Sequence, residues 1–137
     1  MATLVDTNVL VDVAVRDPDW LGWSRSALAR AERAGPLVIN PVIFAEFSVR
    51  YETVEEVEVL LPQDQFAREG LPWDAAFAAG AAFRKYRKSG GGRDRVLPHF
   101  LIGAHAVIRD YAILTRDPKG YRSYFSTVQL ITPETHP

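Results

Sequence analysis

Apolar and polar positions along the chain fall into blocks of two periodicities, which predict strands and helices in alternation. Leu4-Val5 is a short β-type entry, and the apolar residues after Asp6 then turn helical. Trp20, Trp23, Ala27, Leu28 and Ala31 recur at helical spacing, and Gly35-Pro36 ends that segment. Asp17-Pro18-Asp19 predicts its start, because proline tolerates the first helical turn and acids suit it. Leu37-Val38-Ile39 is unbroken apolar sequence, as expected for a strand buried on both faces. Asn40-Pro41 reads as an N-cap with proline behind it and predicts a helix through about Tyr51. Thr53 and Glu56 have the spacing of a capping box for a further helix ending near Pro62.

Trp73 to about Lys88 predicts a strong helix, rich in alanine and closing in basic residues that suit a helix C-terminus. Ser89-Gly90-Gly91-Gly92 predicts a flexible loop and not a phosphate cradle, since no Gly-Lys-Ser/Thr follows it. Pro98 opens a helix to about Asp110, and Ala112–Thr115 and Val128–Ile131 read as strands. Strand, helices, strand, helices, strand is the order of an α/β fold: a central, mostly parallel sheet flanked by helices. No internal repeat breaks the chain, so residues 1–137 are expected to form a single domain.

Composition narrows this. Hydrophobic residues make up 47% and charged residues 24%, the balance of a soluble globular protein. No apolar run is long enough to span a bilayer, and the N-terminus enters a strand at once, so neither membrane insertion nor a secretory leader is expected. The absence of cysteine excludes disulfides and thiolate metal sites and makes a bacterial-type cytoplasm the simplest location. A net charge of −1 argues against indiscriminate coating of nucleic acid. The charge is nevertheless segregated: Arg84, Lys85, Arg87, Lys88, Arg93 and Arg95 face only Asp94, whereas Glu52, Glu55, Glu56, Glu58, Asp64 and Glu69 face only Arg68. Such lobes fit an anionic substrate and a basic partner, and equally two solvated helix faces.

In an open parallel sheet, functional groups collect at the carboxyl ends of strands. Asp6 and Asp117 fall there, with Thr7, Asn8 and Thr115 beside them to orient a carboxylate or hold water. Singly, each acid could as well cap the following helix. Glu46 shifts the balance, because it lies in Val42-Ile43-Phe44-Ala45-Glu46-Phe47 and shares a face with Val42, Ala45 and Val49. On such a face an ionised carboxylate costs roughly several kcal/mol unless it is paired or bound to metal. An ion pair with Arg50 or Arg116 is the alternative. Three converging carboxylates would repel one another, and a divalent cation removes that conflict. Mg²⁺ or Mn²⁺ favours oxygen ligands and phosphate substrates, and activates water for attack on phosphorus. No Ser, Cys or His triad spacing competes.

These residues carry a resemblance. Leu4-Val5-Asp6-Thr7-Asn8-Val9-Leu10, the acid Glu46, Leu97-Pro98-His99-Phe100-Leu101-Ile102-Gly103-Ala104-His105-Ala106 and Leu114-Thr115-Arg116-Asp117 look like the successive blocks of PIN-domain nucleases. The likeness is to the VapC-like toxins of bacterial toxin–antitoxin pairs. It extends through Tyr121-Arg122-Ser123-Tyr124-Phe125 and Leu130-Ile131-Thr132-Pro133, so it spans nearly the whole chain in order. It implies a PIN-like fold, RNA cleavage with Mg²⁺ or Mn²⁺, a small antitoxin whose tail fills the groove, and a homodimer. It also implies metal-binding and catalytic roles for Asp6, Glu46 and Asp117.

The family's remaining acid, an aspartate at the start of the Leu-Pro helix, corresponds here to His99. A neutral imidazole can still bind metal, but it suits Mn²⁺, Zn²⁺ or Ni²⁺ better than Mg²⁺ and removes a negative charge. A variant with altered metal preference, an inactive relative and an engineered substitution all account for it. Asp94 is a remote substitute for the missing carboxylate, and His105 reads as a polar helix residue near the substrate. Arg84, Arg87, Arg93, Arg95 and Arg116, with Lys119 and Arg122, are candidates for the RNA backbone. The alanine-rich Ala75–Ala82 face allows close packing, within the core or across a dimer. A haloacid-dehalogenase phosphatase is disfavoured, since Asn8 stands where its second aspartate would be, and so is a dinucleotide fold, since no Gly-rich turn follows the first strand. The alternative in another class is a catalytically inactive RNA- or protein-binding module on the same fold.

Overall fold

The computed structural model describes residues 1–92 and 96–137, so the expectations placed on Arg93, Asp94 and Arg95 lie outside the described residues. Five strands form one sheet: β1 (Thr3–Val5), β2 (Leu37–Ile39), β3 (Phe66–Arg68), β4 (Ala112–Leu114) and β5 (Leu130–Ile131). Their spatial order is β3-β2-β1-β4-β5, and every neighbouring pair is parallel. β1 is central, with Thr3 opposite Leu37 on one side and Ala112 on the other. The chain winds outward from β1 in both directions, so the loops leaving β1 and β4 diverge and open a crevice at their carboxyl ends. β1, β2 and β4 are buried throughout, as their unbroken apolar sequences require.

Seven helices complete the described fold: α1 (Thr7–Ala14), α2 (Leu21–Ala34), α3 (Pro41–Ser48), α4 (Val54–Leu60), α5 (Trp73–Lys88), α6 (Leu97–Arg109) and α7 (Lys119–Tyr124). The caps expected for α3 and α4 form. Asn40 accepts from the Ile43 N–H at 2.9 Å with Pro41 behind it, and Thr53 and Glu56 close a reciprocal capping box. Other details differ, the last two strands being shorter than expected at Ala112–Leu114 and Leu130–Ile131. Asp17 accepts from the N–H groups of Asp19 and Trp20, which caps a turn, and α2 itself starts only at Leu21. α3 ends at Ser48, short of Tyr51. β3 and α7 form where no element was expected, β3 inside the acidic stretch and α7 between two strands.

α5 and α6 pack closely, with Ala75 and Ala79 fully buried, so that part of the alanine-rich face serves the core. The opposite face of α5 leaves Trp73 and Phe77 90% and 81% exposed, one helical turn apart. Midway along α6, Gly103 lies so close to the Phe125 ring that an added Cβ would overlap it. Alanine would gain ~1 kcal/mol in helix propensity, but overpacking a core typically costs ~1–3 kcal/mol. Gly103→Ala is therefore expected to lower the thermal midpoint by a few degrees. A midpoint at or above wild type would show that Phe125 yields freely.

Candidate active site

The crevice at the sheet's switch point is a cleft of about 430 Å³ lined by Asp6, Thr7, Asn8, Val11, Glu46, Val49, Arg50, His99 and Arg116. Asp6 follows β1 directly and is the N-cap of α1, accepting from the Thr7 N–H at 2.8 Å through Oδ1. Its Oδ2 takes two hydroxyl donors, Thr115 and Tyr121, each at 2.9 Å. The side chain is nearly fully buried. Burial pushes the Asp6 carboxyl above its usual value, and this outweighs the opposing hydrogen bond from Thr115, the proximity of His99 and the bonds from Tyr121 and Thr7. The Tyr121 phenol is pushed well above its usual value by the same burial and by the charge of Asp6.

Thr115 and Asn8 form a hydrogen-bonded framework beside Asp6. Thr115 Oγ1 accepts from Asn8 Nδ2 at 3.2 Å and from the Asp117 N–H at 3.0 Å while donating to Asp6. Thr7 Oγ1 donates to Glu46 Oε1 at 2.7 Å, which brings α1 and α3 together across the cleft. Asp117 is exposed on the turn after β4 and does not line the cleft, although its charge reaches Tyr121 and Arg116.

The reason given for Glu46 needs correction. The face it shares with Val42, Ala45 and Val49 is the open one: Val49 is 82% exposed, Glu46 is half-buried, and Ile43 and Phe47 carry the core contact. Glu46 is therefore a cleft residue because it borders the crevice, not because it is desolvated in the core. The alternative ion pairs are also not found. Arg50 donates to the Glu46 main-chain carbonyl at 3.2 Å, and Arg116 is engaged by Asp12.

His99 is half-buried on the first turn of α6, its ring edge-on to Tyr121 with centroids 6.0 Å apart. Its Nδ1 is buried with no hydrogen-bond partner among the described residues. A buried nitrogen of this kind calls for a ligand, a water or an ion. Among the described residues, no three His, Asp or Glu side chains are grouped closely enough to hold a metal ion. The carboxylates of Asp6 and Glu46 and the imidazole of His99 nevertheless share one cleft and fit a divalent cation by donor type.

His105 does not line the cleft. It is fully buried, with Nδ1 3.0 Å from Asn40 Nδ2 and Nε2 2.8 Å from Glu69 Oε1. The Asn40 carbonyl oxygen is committed to capping α3, so its amide nitrogen donates to His105 Nδ1. His105 must then carry its proton on Nε2 and donate it to Glu69. Glu69 also accepts from Tyr111 Oη at 2.6 Å and Arg109 Nε at 3.2 Å, so one carboxylate ties α3, α6 and β4 together. Of the basic candidates on α5, Arg84 and Arg87 are exposed near its C-terminus and outside the cleft, and Arg87 lies over the Phe83 ring.

Sequence reasoning missed Asp12, Tyr121 and Trp20. Asp12 is a lone acid in the apolar run Val9-Leu10-Val11-Asp12-Val13, the same signal that singled out Glu46. It is 1% exposed and takes Arg116 through both carboxylate oxygens, Nε at 2.7 Å and Nη2 at 2.9 Å. These hydrogen bonds with Asp12 raise the Arg116 pKa above its already high value.

The architecture is thus a doubly wound parallel sheet with a cleft of acids, hydroxyls and arginines at its switch point. The chain belongs to the PIN domain family, whose model matches residues 3–125. The fold is also that of VapBC2 from Rickettsia felis, solved with a DNA fragment from their promoter: TM-score 0.71, 17% identity, covering 96% of this chain and 98% of that one. VapBC-1 from nontypeable Haemophilus influenzae matches with TM-score 0.70 and 16% identity over 96% and 98%. A toxin-antitoxin complex from Klebsiella pneumoniae matches at 23% identity and TM-score 0.61 over 96% and 97%. No curated protein sequence matches the chain. The expected PIN-like fold and its likeness to VapC-type chains are both found, and no helix among the described residues is long and apolar enough to cross a membrane.

The Glu69 cluster sets a pH dependence. Burial pushes the Glu69 carboxyl up, but the bonds from His105, Tyr111 and Arg109 outweigh it and hold the folded-state pKa below the ordinary value. A carboxyl depressed in the folded state adds stability above its unfolded pKa and loses it as pH falls through the folded one. The wild type should therefore lose stability on acidification below about pH 4.5, the ordinary glutamate value, more steeply than Glu69→Gln does. Parallel slopes in urea titrations across that range would contradict this.

Proposed function

We propose that this protein is a metal-dependent endoribonuclease, the toxin of a toxin–antitoxin pair, which hydrolyses RNA phosphodiesters in the Asp6 cleft. The observation that carries the reading is the coincidence of PIN family membership with Asp6, Glu46 and His99 lining one cleft at the sheet's switch point. A divalent ion, Mg²⁺ or Mn²⁺, would be held by Asp6 and Glu46 with His99, while Asp117 stands outside the cleft on the turn after β4, and it would supply an acidified water and a counter-charge for phosphate. The buried, unpartnered Nδ1 of His99 and the carboxylates beside it are consistent with that ion. Thr7, Asn8 and Thr115 keep the acidic side chains oriented.

The protein's own groups have distinct tasks in this reading. Tyr121 and Thr115 occupy Asp6 Oδ2, which fixes the carboxylate and leaves Oδ1 the more available oxygen. Arg84, Arg87, Arg93, Arg95 and Arg116 follow the RNA backbone. A cognate antitoxin covers the cleft, a partnership supported by the similarity to VapBC chains and to the Klebsiella pneumoniae toxin-antitoxin complex. Trp73 and Phe77, exposed together on α5, support a homodimer. Action on cellular RNA places the protein in the cytoplasm.

The second reading, a non-catalytic RNA- or protein-binding module, is favoured by one observation, the imidazole where the family has a carboxylate. His99→Asp separates the two. The nuclease reading expects this variant to cleave RNA with Mn²⁺ at least tenfold faster than wild type and to arrest growth, with both effects abolished by adding Asp6→Ala. Intact RNA with purified, folded His99→Asp across Mg²⁺, Mn²⁺ and Zn²⁺ would establish the binding module instead.

A further inference from the structure

Arg116 is held by several groups at once, and it stands on the wall of the acidic cleft. Its backbone N–H donates to Asn8 Oδ1 at 3.2 Å. Nε and Nη2 are held bidentately by Asp12, which is itself buried and fixed by Ser24 Oγ at 2.7 Å. The guanidinium lies 5.2 Å from the centroid of the Trp20 ring. Nη1, the remaining nitrogen, makes no hydrogen bond among the described residues, and 29% of the side chain is exposed.

A counter-ion for Asp12 would need only the bidentate edge. The Trp20 ring adds a hold on the guanidinium and Asn8 one on the backbone beneath it, and Arg116 lines the same cleft as Asp6, Asn8 and His99. Arg50, two residues beyond α3, brings a second guanidinium to the same cleft, bonded among the described residues to the Glu46 carbonyl. A phosphodiester cannot approach Asp6 and Glu46 unless fixed donors offset their repulsion, and a planar, preorganised guanidinium does this with little loss of freedom on binding. We propose that Arg116, set by Asp12, Trp20 and Asn8, is a phosphate-binding subsite that holds an RNA phosphate beside the acidic floor of the cleft, with Arg50 as its more exposed counterpart on the α3 side. This rests on the nuclease reading of the cleft and specifies which residue positions its substrate. Because Asp12 neutralises its charge, Arg116 contributes directed donors more than net attraction, which distinguishes it from the exposed arginines of α5.

The test is binding of a fluorescein-labelled single-stranded RNA to the full chain in EDTA at low salt, read by anisotropy. Removing Arg116 alone would leave Asp12 buried and unpaired, so the informative variant is the neutral pair Asp12→Asn/Arg116→Gln. It is expected to weaken RNA binding about tenfold, the scale of a charge-assisted hydrogen-bond pair. Arg116→Lys, which keeps an ion pair with Asp12 but loses the fork, provides a second measurement should the double variant not fold, with a several-fold loss expected. Undiminished affinity in a folded variant, or no RNA binding by wild type, overturns the subsite and leaves Arg116 a structural partner of Asp12. The two readings fail separately. RNA cleaved by His99→Asp but bound equally by the Arg116 variants removes the subsite alone; RNA bound through Arg116 but never cleaved removes the nuclease alone.

Discussion

The burial of one carboxylate organises this structure. Asp6 is placed at the end of the central strand, out of water, where an unsatisfied charge would cost several kcal/mol, roughly. Its three donors come from three places in the chain: the first turn of α1, the turn after β4, and α7. Satisfying this group therefore fixes the relation of β1 to β4 and seats α7 beneath the cleft. The hydrogen bonds do not fully offset the burial, which is why the carboxyl remains displaced upward. A carboxylate held in this state is poised for a cation, and a nuclease of this chemistry would use that property.

Two other polar clusters brace the cleft from its sides. Asp12, Ser24 and Arg116 lock α1 and α2 to the turn that carries Thr115. Asn40, His105 and Glu69 lock the start of α3 to α6, the helices that present Glu46 and His99. The buried groups of each cluster are paired, the part-exposed Nη1 of Arg116 standing apart, and such networks specify geometry more than they add stability. His99 is the exception, with one buried nitrogen left unpaired.

Much of the fold could be read from the sequence. The unbroken apolar strands β1, β2 and β4, the N-cap at Asn40 and the capping box at Thr53 are local signals, and local physics decided them. β3 was hidden because a three-residue edge strand with only Phe66 buried carries little apolar pattern, and its neighbours are acidic. α7 is a six-residue helix whose reason for forming is tertiary, the insertion of Tyr121 beneath Asp6. The strand-end position of Asp6 was legible because β1 stops abruptly. The place of Glu46 in the cleft was reached through the wrong face of its helix, since an apolar face is not always a buried one. Asp12 had the same lone-acid signal and proved to be the deeply buried acid of the two.

On the proposed nuclease reading, the Asp6 cleft would bind a divalent cation. Titration of Mn²⁺ into wild type and into Asp6→Asn, by calorimetry on proteins of matched fold, tests it most directly. The account predicts a single class of binding in wild type, weakened at least tenfold in Asp6→Asn. Equal affinity in the two proteins, or no binding in either, would contradict it.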